Sequence, residues 1–258
     1  MKKTLNLVDL NNWLVKYTYA GLDLHFVSGW FAAYLSSIND EDQEELLLVP
    51  DFLIFDDNKI TDEQDFSKLI DELVKLYSEV ADRLFELNKP IQPLISLVKP
   101  NIFSTDNLTH DELQLLEAWL LGYLYFILTS EVDIAEICTN QVMLDEHYYP
   151  ALFTLSVILI DLQIKLQSDK KTQEVTTYVG YLTEAVFDLQ EMWEPETDAE
   201  DKASMFSDAL KTVNYADIVP ALNSIFFVVR KIDEERYASR QISKSLLGKL
   251  SSQSLSKH

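Results

Sequence analysis

Between Phe66 and Leu84, apolar side chains recur in steps of three and four: Phe66, Leu69, Ile70, Leu73, Leu76, Tyr77, Val80 and Leu84. That period lays them along one face of an α-helix and predicts an amphipathic helix over about Asp65 to Glu86. The same spacing joins Leu7, Leu10, Trp13, Leu14 and Tyr17, and it returns from Leu24 to Ile38 through Val27, Trp30, Phe31, Tyr34 and Leu35. A chain with several such stripes must bury each against another, which predicts an all-α, irregular multihelical bundle. The 258 residues are 47% hydrophobic with five glycines and seven prolines, so material for a core is ample and fibrous repeats are excluded.

Further helices follow from local signals. Thr109 stands three residues before Glu112, the spacing at which hydroxyl and carboxylate each satisfy a free backbone amide of a helix start. The stripe Leu113, Leu116, Trp119, Leu120, Tyr123, Leu124 and Ile127 follows it. A short helix is expected from Glu131 to Cys138, then a break near Asn140. The nearly all-apolar run Ala151 to Leu166 reads as a central helix covered on most faces, too short to span a bilayer. Val175 to Leu189 carries another stripe, and Met205, Ala209, Leu210 and Val213 one more. Pro220 fits the opening turn of a last helix built on Leu222, Ile225, Phe226 and Val229. Leu46 to Val49 reads equally as a short buried helix or a strand.

Chemistry-bearing residues are sparse. His25, His110, His147 and His258 are far apart in sequence and lack the four-residue pairing of a zinc-binding helix. No glycine pattern offers a phosphate cradle. An EF-hand begun at Asp56 puts Thr61 where glycine is needed, so neither a metal nor a cofactor is expected. Cys138, beside Ile134 and Ile137, reads as a buried small hydrophobe, and His25 and Tyr34 as satisfied polar groups of the core. A single cysteine and a start that turns polar at Thr4, Asn6 and Asp9 suggest a reducing cytoplasm.

Charge is the most uneven feature. The formal net charge is -22, which opposes direct binding to nucleic acid or an anionic membrane. Asp40 to Glu86 holds 16 acidic residues against 4 basic, and Glu184 to Asp208 holds 9 against 1. Such surfaces steer a basic protein partner, so Asp56, Asp57, Asp62 and Glu63 are the candidate contacts, with Trp193 as an aromatic anchor beside the second region. The expected function is that of a cytoplasmic protein-interaction or regulatory protein. The alternative is an enzyme or small-ligand protein with an atypical pocket between helices, where His110, Asp111 and Glu112 form the first cluster to inspect.

Two segments match each other. Gly29-Trp30-Phe31-Ala32-Ala33-Tyr34 and Gly122-Tyr123-Leu124-Tyr125-Phe126-Ile127 both set a glycine before aromatics inside a helix. Glycine there costs about 0.8–1 kcal/mol against alanine, a loss that close packing offsets, so matched core helices are expected rather than a peptide groove.

With Ala118-Trp119-Leu120-Leu121-Gly122-Tyr123-Leu124 as the later segment and Val27-Ser28-Gly29-Trp30-Phe31 as the earlier one, the chain resembles the UPF0149 family of YecA- and YgfB-like proteins. The likeness covers about Leu22 to Leu166, with Leu48 to Phe55 and Phe66 to Phe85 resembling the family's connecting stretch and long helix, and with Ser28 where the family has histidine. It implies an all-helical bacterial protein. Longer relatives carry a cysteine-rich zinc-binding SEC-C module; Cys138 is the chain's one cysteine, so the resemblance implies no zinc here. The expected organisation is a family-like helical domain over 1–190, an acidic linker over 191–202, a helical extension over 203–239 and a mobile basic tail over 240–258.

Overall fold

The computed structural model describes residues 7–17, 23–37, 63–84, 108–129, 134–167 and 207–235. Every regular element among them is helical. In order these are α1 (Leu7–Tyr17), α2 (Leu24–Leu35), α3 (Glu63–Leu84), α4 (His110–Thr129), α5 (Ile134–Ile137), α6 (Gln141–Met143), a π-helical turn (Leu144–Tyr148), α7 (Tyr149–Gln167), α8 (207–211), a 3-10 turn (Tyr215–Asp217) and α9 (218–235). Among the described residues the chain is therefore the irregular multihelical bundle that its spacing predicts.

The stripes become the core. Leu69, Leu73, Leu76 and Val80 of α3 are buried, as are Leu10, Leu14 and Tyr17 of α1. They share one hydrophobic cluster with Val27 and Phe31 of α2, Leu116 and Leu120 of α4, Leu155 and Leu159 of α7, and Leu222 and Ile225 of α9. The expected C-terminal extension thus contributes to the same core as the helices before it.

Local chemistry sets the ends. The Asp23 carboxylate accepts hydrogen bonds from the His25 and Phe26 amides at 2.8 and 2.9 Å, starting α2, and Asn11 of α1 accepts from the Leu24 amide at 2.8 Å. At the other end the Ser36 hydroxyl donates to the Ala32 carbonyl at 2.6 Å and the Ser37 hydroxyl to that of Tyr34 at 2.6 Å, and α2 stops at Leu35, short of the expected Ile38. α4 opens on the reciprocal pair read from the sequence: the Thr109 amide donates to the Glu112 carboxylate at 2.8 Å, and the Glu112 amide to the Thr109 hydroxyl at 3.4 Å.

The central helix begins earlier than its apolar run. Asn140 caps it by accepting from the Met143 amide at 3.3 Å, and the chain stays helical from there through Pro150. A proline in a helix interior removes an amide donor and crowds the carbonyl four residues back. Here the wider π turn, closed by the Tyr149 amide on the Leu144 carbonyl, directly precedes Pro150 and absorbs that misfit. The continuous segment Gln141–Leu166 is 26 residues long, enough by length and apolarity to cross a membrane, so shortness does not distinguish it from a spanning helix. Its most apolar window is 61% buried within the protein, as a core helix would be.

The two glycine segments explain the architecture. α2 and α4 make the broadest contact between described elements. A Cβ on Gly29 would lie 2.0 Å from the Trp119 carbonyl oxygen, and one on Gly122 would lie 2.0 Å from the Phe26 carbonyl oxygen. Each glycine therefore meets the backbone three residues before the other, and the approach requires two residues without side chains. The hydrogen standing in each Cβ direction points at a carbonyl, a weak Cα–H···O contact of about 0.5–1 kcal/mol. Around the crossing Trp30 stacks on Tyr34 at 5.3 Å and meets Phe126 edge-on at 5.2 Å, while Phe31 meets Tyr77 of α3 edge-on at 5.5 Å. The aromatics are thus committed to packing between helices, as expected for matched core elements.

Candidate functional site

The acidic candidates Asp56, Asp57 and Asp62 and the anchor Trp193 lie outside the described residues. Glu63 is the first residue of α3, and its side chain lies outside the described set as well. The segments Leu46 to Val49 and Val175 to Leu189, the linker 191–202 and the tail 240–258 fall outside it too.

The His110, Asp111 and Glu112 cluster occupies the first turn of α4. Glu112 serves the cap, and the exposed His110 ring lies 3.1 Å from the Gln114 amide nitrogen. These contacts account for both residues as helix-start groups. Cys138 is buried, its sulfur 3.5 Å from the Asn140 carbonyl. Among the described residues no three His, Cys, Asp or Glu side chains are grouped to hold a metal ion.

Among the described residues three buried polar atoms have no hydrogen-bond partner: His25 Nδ1, Tyr123 Oη and Gln163 Oε1. For His25 this corrects the expectation of a satisfied core histidine, because the ring nitrogen entered the interior without meeting an acceptor or donor. Burial holds the imidazole below its usual range, with the nearby Asp23 charge acting the other way.

Gln163 lies on α7, almost fully buried, and its Nε2 donates to Glu117 Oε1 of α4 at 3.3 Å. Burial pushes the Glu117 carboxyl up; the Gln163 bond opposes that shift and the charge of Asp23 adds to it. The signal was present in the sequence as one glutamate and one glutamine inside otherwise apolar helical runs, yet only packing brings the two together.

Tyr123 lies one residue after the Gly122 contact, fully buried and stacked on Trp119 at 5.4 Å. Burial raises its phenol well above the ordinary range, so it is a neutral hydroxyl at physiological pH. Tyr123 lines a small cleft with room for little more than a water molecule, and its hydroxyl oxygen is itself closed off from solvent. Ser36 and Ser37 at the end of α2, Phe126 of α4, Tyr148 of the π turn, and Ile225 and Val229 of α9 also line it. Among the described residues none of the lining side chains is charged. In the sequence Tyr123 reads as a core aromatic, and nothing there reveals that its hydroxyl lacks a partner.

Across the bundle the Tyr215 hydroxyl donates to Asp161 of α7 at 2.7 Å and accepts from Lys165 at 2.9 Å, while Lys165 pairs with Asp161 at 2.7 Å. This three-residue link fastens the turn before α9 to the central helix.

No protein-family model, curated protein or solved structure matches the chain.

Proposed function

We propose that this is a non-catalytic interaction or regulatory protein of the cytoplasm that recognises a basic protein partner through its acidic exterior. The observation that carries this reading is the concentration of negative charge in two stretches, 40–86 and 184–208, within a chain of net charge -22. Charge of one sign gathered on part of a surface raises the encounter rate with an oppositely charged partner and rejects like-charged ones. The contacts proposed are Asp56, Asp57, Asp62 and Glu63, with Trp193 as an anchor. Within the His110, Asp111 and Glu112 cluster, Glu112 is engaged in capping α4 with Thr109. Membership of the UPF0149 family belongs to the same proposal and rests on the order of the two glycine-aromatic segments and the long helix between them.

The test is affinity capture with the intact chain and with the double variant Asp56→Lys, Asp57→Lys. The variant is expected to lose partners that wild type retains at low salt and releases at high salt. An unchanged partner set would remove the acidic surface from the function.

A further inference from the structure

The contact between α4 and α7 contains a pair whose fit depends on a proton. Gln163 of α7 is almost fully buried, with Nε2 donating to Glu117 Oε1 at 3.3 Å and Oε1 without a partner. A primary amide sets a donor and an acceptor side by side, and a carboxylate, which only accepts, matches half of it. A carboxylic acid matches both: its carbonyl oxygen accepts from the amide, and its hydroxyl donates to the amide oxygen. One proton on Glu117 therefore supplies what Gln163 Oε1 lacks. Solvent does not substitute for it, because that oxygen is closed off. Glu117 itself is only partly buried, so its carboxyl exchanges protons with water.

The surrounding groups favour the protonated form. Asp23, at the start of α2, acts on Glu117 with charge of the same sign, and burial works in the same direction. His25 lies near Asp23, and its own burial disfavours the imidazolium. On α7, Lys165 and Asp161 are engaged with each other and with Tyr215. Within α4, Glu112 is engaged in the cap. Among the described residues no cation acts on Glu117 to hold it ionised.

We propose that Glu117 and Gln163 form a proton-operated latch between α4 and α7, closed when the Glu117 carboxyl donates a proton to Gln163 Oε1 and loosened when that proton leaves. With the proton taken up from solvent, two hydrogen bonds join the side chains in a ring. Without it, one bond remains, the amide oxygen is unmatched, and α7 is held less firmly against α4. The charge of Asp23 sets the pH at which the latch works.

The experiment follows the full chain by NMR across the acid range, reading the Glu117 carboxyl carbon, the Gln163 side-chain amide and backbone hydrogen exchange corrected for its intrinsic pH dependence. In wild type Glu117 should titrate above the ordinary 4.5, and the Gln163 amide should move with the same midpoint. Exchange in 155–167 should be about fivefold slower below that midpoint than above it, the effect of roughly one hydrogen bond. Asp23→Asn, which keeps an acceptor for the α2 cap, should lower the midpoint. Glu117→Gln, which offers an amide hydrogen in place of the acid proton, should hold exchange at the slow level throughout. The wild-type titration decides the matter even where a variant fails to fold. Glu117 ionising at or below 4.5 overturns the proposal, as does a Gln163 amide that does not follow it. So does exchange in 155–167 that ignores the state of Glu117, a midpoint unmoved in Asp23→Asn, or pH-dependent exchange that survives in Glu117→Gln.

Discussion

Gly29 and Trp119 are in backbone contact: the space that a side chain on Gly29 would need is already held by the Trp119 carbonyl oxygen, 2.0 Å from the Cβ position. The same relation joins Gly122 to Phe26. A carbonyl inside a helix cannot swing aside as a flexible side chain can, so the whole α2–α4 crossing has to open to admit one methyl group.

Gly29→Ala and Gly122→Ala are therefore expected to destabilise the fold although alanine is the better helix former. Overpacking costs about 1–3 kcal/mol and more where backbone must move, against the roughly 1 kcal/mol gained in helix propensity. Urea unfolding followed by circular dichroism measures the balance. The double variant should cost less than the two single variants together, because one opening of the crossing relieves both contacts. A midpoint at or above wild type for either single variant would show that the crossing is not held that tightly.

Glu117→Gln is expected to stabilise the protein at neutral pH by about 1 kcal/mol. Glutamine keeps the Gln163 Nε2 bond and offers an amide hydrogen to Gln163 Oε1, which has no partner in the native core. The sign of the pH dependence follows from the raised native carboxyl. Its protonated form supplies stability that is complete below the ordinary value of 4.5 and is lost as pH rises through the higher folded value. The advantage of glutamine should accordingly shrink as pH falls toward 4.5, measured by urea midpoints across the acid range. A variant less stable than wild type at pH 7 would contradict this account.

Tyr215→Phe removes the hydroxyl that Asp161 and Lys165 share, at a cost of about 1 kcal/mol. Hydrogen exchange should quicken in 218–235 and stay unchanged at the α2–α4 crossing, since the link fastens one end of the bundle. Burial raises the Tyr215 phenol; its bond to Lys165 opposes that shift and its bond to Asp161 adds to it. The protonated phenol thus contributes stability that is full below its ordinary value of 10.0 and lost at higher pH, and the variant should lack this part of the alkaline loss. Equal exchange protection in both proteins would make the link incidental.

Much of the fold was legible in the sequence because helical period and capping are local properties. Leu7–Tyr17 forms over the residues whose spacing predicts it, and Thr109 with Glu112 opens α4 as their three-residue separation requires. Glu63–Leu84 begins two residues before the expected Asp65, a shift within the ordinary uncertainty of helix ends. The break near Asn140 was legible, but the early start of the central helix was not: its apolar run reads from Ala151, and the π turn that reconciles Pro150 with a continuous helix leaves no compositional mark.

The sequence alone determined that the chain is helical, where its apolar faces lie and how strongly negative it is, because these depend on neighbours within a few positions or on composition. Tertiary structure decided that Gly29 and Gly122 meet at a single crossing, that Glu117 faces Gln163, and that the Tyr123 hydroxyl ends beside a cleft without a partner. Each of these joins positions distant in sequence or leaves a polar atom unmatched, and both outcomes depend on how whole helices are placed against one another.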